Sequence, residues 1–165
     1  MAQLRAWGVA RLDRQSLVQS TRTAVAAVAA TVVARAVKLP EYYWAPITTL
    51  VIMQSTLGAA WDVSVPRIIG TALGALLGAL LAPRFGGSVV AFGAGVLVLG
   101  LICAATRAGS SAYRFGGITL AIVVLIARHE SPWLAATHRF VEVAIGVVIG
   151  LAVTALWPAR ETPAT

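Results

Sequence analysis

Five arginines stand inside or at the ends of apolar runs, at Arg22, Arg35, Arg67, Arg114 and Arg139, and Glu142 follows Arg139 by one helical turn. A guanidinium costs ~2.5–3.5 kcal/mol at the centre of a bilayer-spanning helix on insertion scales. These arginines cannot all be idle at that cost, although those near helix ends can snorkel to headgroups. Only 6 acidic residues are available to 13 basic ones. Unpaired guanidiniums along a polar path favour anions, above all carboxylates, which accept two parallel N–H bonds. Glu142 has two readings: a salt bridge with Arg139 or His138, and a carboxylate that carries the coupling proton.

The stretch LPEYYWAPITTLVIMQ, Leu39 to Gln54, adds hydroxyls and aromatic edges. On a helix Trp44, Thr48 and Ser55 share one face, flanked by Thr49 and Thr56, while Gln54 points elsewhere. A polar face on a spanning helix looks toward protein or a water-filled path. The alternative is that Pro46 starts a helix and the hydroxyls bond back to their own backbone. No nucleophile, base and metal constellation can be assembled, so an enzyme is not expected. Cys103 is the single cysteine, and His129 and His138 lie far from any cluster of ligands. Neither a metal nor a cofactor is expected.

The elements that hold these residues follow from composition. The chain is 165 residues long, 59% hydrophobic and 12% charged, with mean hydropathy +0.85, against roughly 25% charged in soluble domains. A soluble fold would have to cover its core with charge this chain does not have. The net charge of +7 is spread singly along the chain, which argues against nucleic acid. The expectation is an all-α polytopic membrane protein in contact with lipid. Six apolar runs, 22–38, 44–59, 65–82, 88–106, 114–128 and 137–157, are bounded by charge, Pro or Gly. Ser64 before Pro66 and Ser131 before Pro132 read as helix starts. Residues 1–20 lack a secretory signal core; Leu4, Trp7 and Leu12 with Arg5, Arg11 and Arg14 fit an interfacial helix. A six-helix module is then expected over 21–158, with a tail over 159–165. With the N-terminus cytoplasmic, eight basic residues fall inside and five outside, so a multi-pass cell-membrane protein with both termini cytoplasmic is expected.

The two halves resemble each other. RIIGTALGALLG from Arg67 lies on RFVEVAIGVVIG from Arg139, and YWAPITTL from Tyr43 on YRFGGITL from Tyr113. Three spans per half make this an inverted repeat, a frequent transporter plan. Gly70, Gly74 and Gly78 form one small-residue stripe, and Gly146 and Gly150 the matching one, both suited to close helix packing. Short or Pro/Gly-interrupted spans at equivalent places mark a transport site. The substrate site is therefore expected between the second and fifth runs, with Trp44, Thr48, Ser55, Arg67, Arg114 and Arg139.

RTAVAAVAATVVARAVKLPEYYWAPITTLVIMQSTLGAAWDVSVPRIIGTALGALLGALLA, residues 22–82, resembles the membrane module of the fusaric acid resistance and aromatic acid exporter family, to which the aluminium-activated malate transporters are related. The opening Arg22, the YYWAPIT segment, Gln54-Ser55 and the glycine-rich third run carry the likeness, which is looser over 88–157. The resemblance implies a six-helix module that exports organic, often aromatic, carboxylate anions. This chain ends soon after Trp157, without the soluble domain of larger members, which suggests a homodimer. A passive anion channel and a non-transporting membrane subunit or assembly factor are the competing readings.

Overall fold

The apolar runs fold as helices, except that the second, 44–59, is divided between one short helix and the start of the next. The computed structural model describes residues 14–53, 56–126 and 131–157, and all regular structure among them is helical. The helices are α1 (Arg14–Ala36), α2 (Trp44–Ile52), α3 (Leu57–Phe85), α4 (Val89–Ala105), α5 (Gly109–Ala121) and α6 (Pro132–Leu156); a π-helical turn, Ile122–Ile126, continues α5. Four stretches are long and apolar enough to cross a membrane: Ser16–Ala36, Leu57–Phe85, Gly109–Ile126 and Pro132–Leu156. The apolar α4 is shorter. The nine residues of α2 rise only ~14 Å, about half of a hydrocarbon core.

Several boundaries differ from expectation: α2 stops at Ile52, short of residue 59, and α1, α3, α5 and α6 start before residues 22, 65, 114 and 137. The break predicted at AAWDVSVP is helical, so α3 starts at Leu57 and contains Pro66. Thr56 caps it, its hydroxyl accepting from the Ala59 N–H at 3.2 Å, and Ser64 instead donates to the Ala60 carbonyl at 2.7 Å. Pro66 removes the N–H that the Asp62 carbonyl would have received, at an exposed turn of the helix. At the other serine, Pro132 does open α6, but the Ser131 side chain makes no capping bond. Arg14 opens α1; Leu4, Arg5, Trp7, Arg11, Leu12 and the 159–165 tail lie outside the described residues.

α1 and α4 end alike. The Leu39 N–H donates to the Ala34 carbonyl and Lys38 N–H to Arg35; Ala108 N–H donates to Cys103 and Arg107 N–H to Ala104. These are Schellman closures, and each places a basic residue, Lys38 or Arg107, at positive φ of 59° or 54°, where glycine is the usual occupant. α2 and α5 also interrupt at matching places, α2 stopping at Ile52 and regular α geometry in α5 giving way at Ile122. The altered spacing of a π turn shifts backbone partners; here the Gly87 N–H donates to the Val124 carbonyl at 2.7 Å, tying the α3–α4 connection to the turn.

The helices pack in a reciprocal pattern: α3 against α6 at the centre, α5 on α3, α2 on α6, α1 beside α2 and α6, and α4 beside α5. Missing side chains make the central contacts possible. A Cβ at Gly74 would collide with the Gly116 carbonyl and one at Gly70 with the Ala112 carbonyl, while at Gly146 it would lie 2.5 Å from the Ala45 carbonyl oxygen. Gly78 abuts Val123 and Gly150 abuts Ile52. Buried Ala26, Ala30 and Ala34 line the inner stripe of α1. Val28, Val32, Leu97, Leu101 and Val148 point outward and are well exposed, as suits surfaces that meet lipid tails.

Candidate functional site

Threonines on α2 divide two tasks according to which side they face. Thr49 donates within its helix to the Ala45 carbonyl and across to the Gly146 carbonyl, both at 3.1 Å, so it clamps α2 onto α6. Thr48, also fully buried, accepts from Arg67 Nε at 3.3 Å and Nη2 at 2.9 Å. Arg67 lies well inside α3 because that helix starts earlier than the sequence suggested, which corrects the expectation that it opens the span. Its guanidinium lies 4.6 Å from the centre of the Phe115 ring. Among the described residues it has no carboxylate within salt-bridge distance, although it is 7% exposed.

Arg139, on α6, is arranged differently. Its guanidinium lies 4.0 Å from the Trp44 ring centre. Nη1 reaches Glu142 Oε2 at 2.9 Å and Glu41 Oε2 at 3.2 Å. Glu142 is fully buried, whereas the Glu41 side chain, on the turn before α2, is 36% exposed. Arg139 Nε and Trp44 Nε1 are buried and make no hydrogen bond among the described residues. The seam between α2, α3, α5 and α6 thus holds two arginines, each stacked on an aromatic ring, and among the described residues carboxylates neutralise only Arg139. Cation–π contact compensates a buried charge in part; an anion would complete it.

The structure brings together Trp44, Thr48, Arg67 and Arg139 of the expected substrate residues, with Glu142 beside them. Arg114 is exposed on α5 and stands apart from the seam. Ser55 and Gln54 lie outside the described residues. Sequence reasoning missed Phe115 and Glu41. The repeat alignment does not single out Phe115, because it sets Arg114 on Trp44 and Phe115 on Ala45. Glu41 carried no signal beyond being a carboxylate in the turn before Trp44. Two arginines sit elsewhere. Arg35, at the exposed end of α1, donates to the Tyr42 hydroxyl at 3.0 Å and stacks on its ring. Arg22 is fully buried, with Nη1 bonded to Gln19 at 3.0 Å and Nε and Nη2 without hydrogen bonds among the described residues.

A family model described as fusaric acid resistance protein-like matches residues 16–153. Neither the curated proteins nor the solved structures compared with the chain give a match.

Proposed function

This chain belongs to the fusaric acid resistance protein-like family, and we propose that it exports organic carboxylate anions, aromatic ones included, through the seam between α2, α3, α5 and α6. The family and the four helices apolar enough to span a bilayer make it a multi-pass membrane protein. One observation carries the anion reading: Arg67 is a buried cation whose neighbours are a hydroxyl and an aromatic ring. That set of groups complements a carboxylate attached to a ring, with charge and donors for the carboxylate and an aromatic face for the ring. Thr48 fixes the guanidinium without neutralising it, so an anion meets undiminished charge. Glu142 is the candidate proton carrier of this scheme, held at Arg139.

An inverted repeat is part of the proposal. What supports it is the reciprocal packing, the paired Schellman ends and the matching interruptions at Ile52 and Ile122, since discontinuous helices at equivalent positions accompany transport sites. In this arrangement both termini are cytoplasmic. On a Cys103→Ala background, Lys38→Cys should label with an impermeant thiol reagent from outside the cell and Arg107→Cys only after the inner face is opened. The reverse pattern would invert the orientation.

The substrate class is testable on purified protein, because a ligand that prefers the folded state must raise its stability. Benzoate-like carboxylates are expected to raise the melting temperature more than acetate, and neutral benzamide not at all. Thr48→Val should fold and still respond, with the preference between benzoate and acetate changed, because the guanidinium loses the hydroxyl that orients it. No stabilisation by any carboxylate would contradict the proposal.

A further inference from the structure

We infer that Glu41 is a tethered competitor: its carboxylate occupies the place on Arg139 that a transported carboxylate takes, and must be displaced for the anion to pass. The inference rests on the carboxylate reading of the same seam and adds its regulation. Arg139 Nη1 is shared between two carboxylates that differ in kind. Glu142 is fully buried on the same helix and sits 2.9 Å away. Glu41 comes from the α1–α2 turn, is 36% exposed and reaches the same nitrogen at 3.2 Å. The first is a buried group on the arginine's own helix; the second is a partly solvated group at the edge of the site, where ion pairs contribute little and exchange readily.

What surrounds that pair is suited to an incoming carboxylate. Arg139 Nε and Trp44 Nε1 are buried N–H donors on one stacked pair of groups, and neither makes a hydrogen bond among the described residues. Unmet buried donors are costly, and a carboxylate accepting from them would remove that cost. Glu41 supplies the charge such a ligand would bring without reaching those two nitrogens. Among the described residues Arg67 has no such resident carboxylate. The two arginine sites therefore differ in occupancy, one open and one closed by the chain itself.

The test is equilibrium binding of radiolabelled benzoate to the full chain in lipid nanodiscs. Glu41→Gln keeps the shape and removes the charge, and should bind benzoate about fivefold more tightly, the equivalent of ~1 kcal/mol for a part-exposed ion pair. In an Arg139→Gln/Glu142→Gln background, which removes the contested charge without leaving a buried carboxylate facing a neutral side chain, the same change should have no effect. Trp44→Phe, which keeps a ring and loses the N–H, should weaken binding to the Glu41→Gln protein. Equal or weaker benzoate binding by folded Glu41→Gln, with binding still reduced in the folded Arg139→Gln/Glu142→Gln protein, would overturn the competitor role while leaving the carboxylate reading intact. Absence of benzoate binding in wild type and Glu41→Gln alike would overturn both.

Discussion

Gly74→Leu is expected to yield no monodisperse folded protein in detergent. The reason lies in what the glycine touches. A Cβ there would fall on the carbonyl of Gly116, and Gly116 in turn lies against the Gly70 carbonyl, so helix backbone meets helix backbone at both positions. Flexible side chains can move aside for an added atom; a carbonyl in a helix cannot, without breaking its own ladder. Even inserted methylenes in well-packed interiors cost about 1–3 kcal/mol, and a leucine against backbone should exceed that. Because α3 also packs on α6, separation from α5 would disturb the central pair. Gly117 provides the control: it is the next residue after Gly116, and a Cβ there meets nothing within 4 Å. Gly117→Ala should elute and melt like wild type. Wild-type size-exclusion and melting behaviour in Gly74→Leu would show that α3 and α5 do not meet as described.

Arg67→Gln is expected to fold and to lose carboxylate flux by about tenfold to a hundredfold, the worth of one charge-assisted hydrogen-bonding group. Folding should survive because no buried carboxylate is left without its partner; glutamine can still reach toward the Thr48 hydroxyl, and the removed charge was itself expensive to bury. Arg139→Gln differs on this point. It would take from Glu142, a fully buried carboxylate, the guanidinium that holds it at 2.9 Å, and should destabilise the protein as well as impair flux. Arg67→Lys should fall between wild type and Arg67→Gln, since an ammonium keeps the charge and loses the planar fork. Flux is the quantity that separates these variants, and melting temperature separates Arg67 from Arg139.

The spacing of residues made some of this legible in advance. Glycines four apart must share one face of a helix, and a face without side chains invites another backbone, so Gly70, Gly74 and Gly78 announced a close neighbour without saying that it would be α5. Helical content and membrane character followed from hydropathy and scarce charge. The helix ends were less legible. Pro66 and Ser64 have the chemistry of a helix start, yet Thr56 caps α3 earlier and the proline rides within the helix, where packing along the glycine stripe outweighs one lost hydrogen bond. The interruptions at Ile52 and Ile122 carry neither Pro nor Gly, so no local breaker marked them. Glu41 was invisible for a similar reason: its importance is a contact with Arg139, ninety-eight residues away in sequence, and nothing local marks it.

Benzoate flux in proteoliposomes containing only this chain, compared between wild type and folded Arg67→Gln, tests the anion path most directly. Saturable flux in wild type that falls at least about tenfold in Arg67→Gln, with Gly117→Ala unchanged, is the result predicted. Equal benzoate flux in wild type and in well-folded Arg67→Gln would contradict it and place the path away from the Arg67–Thr48–Phe115 seam.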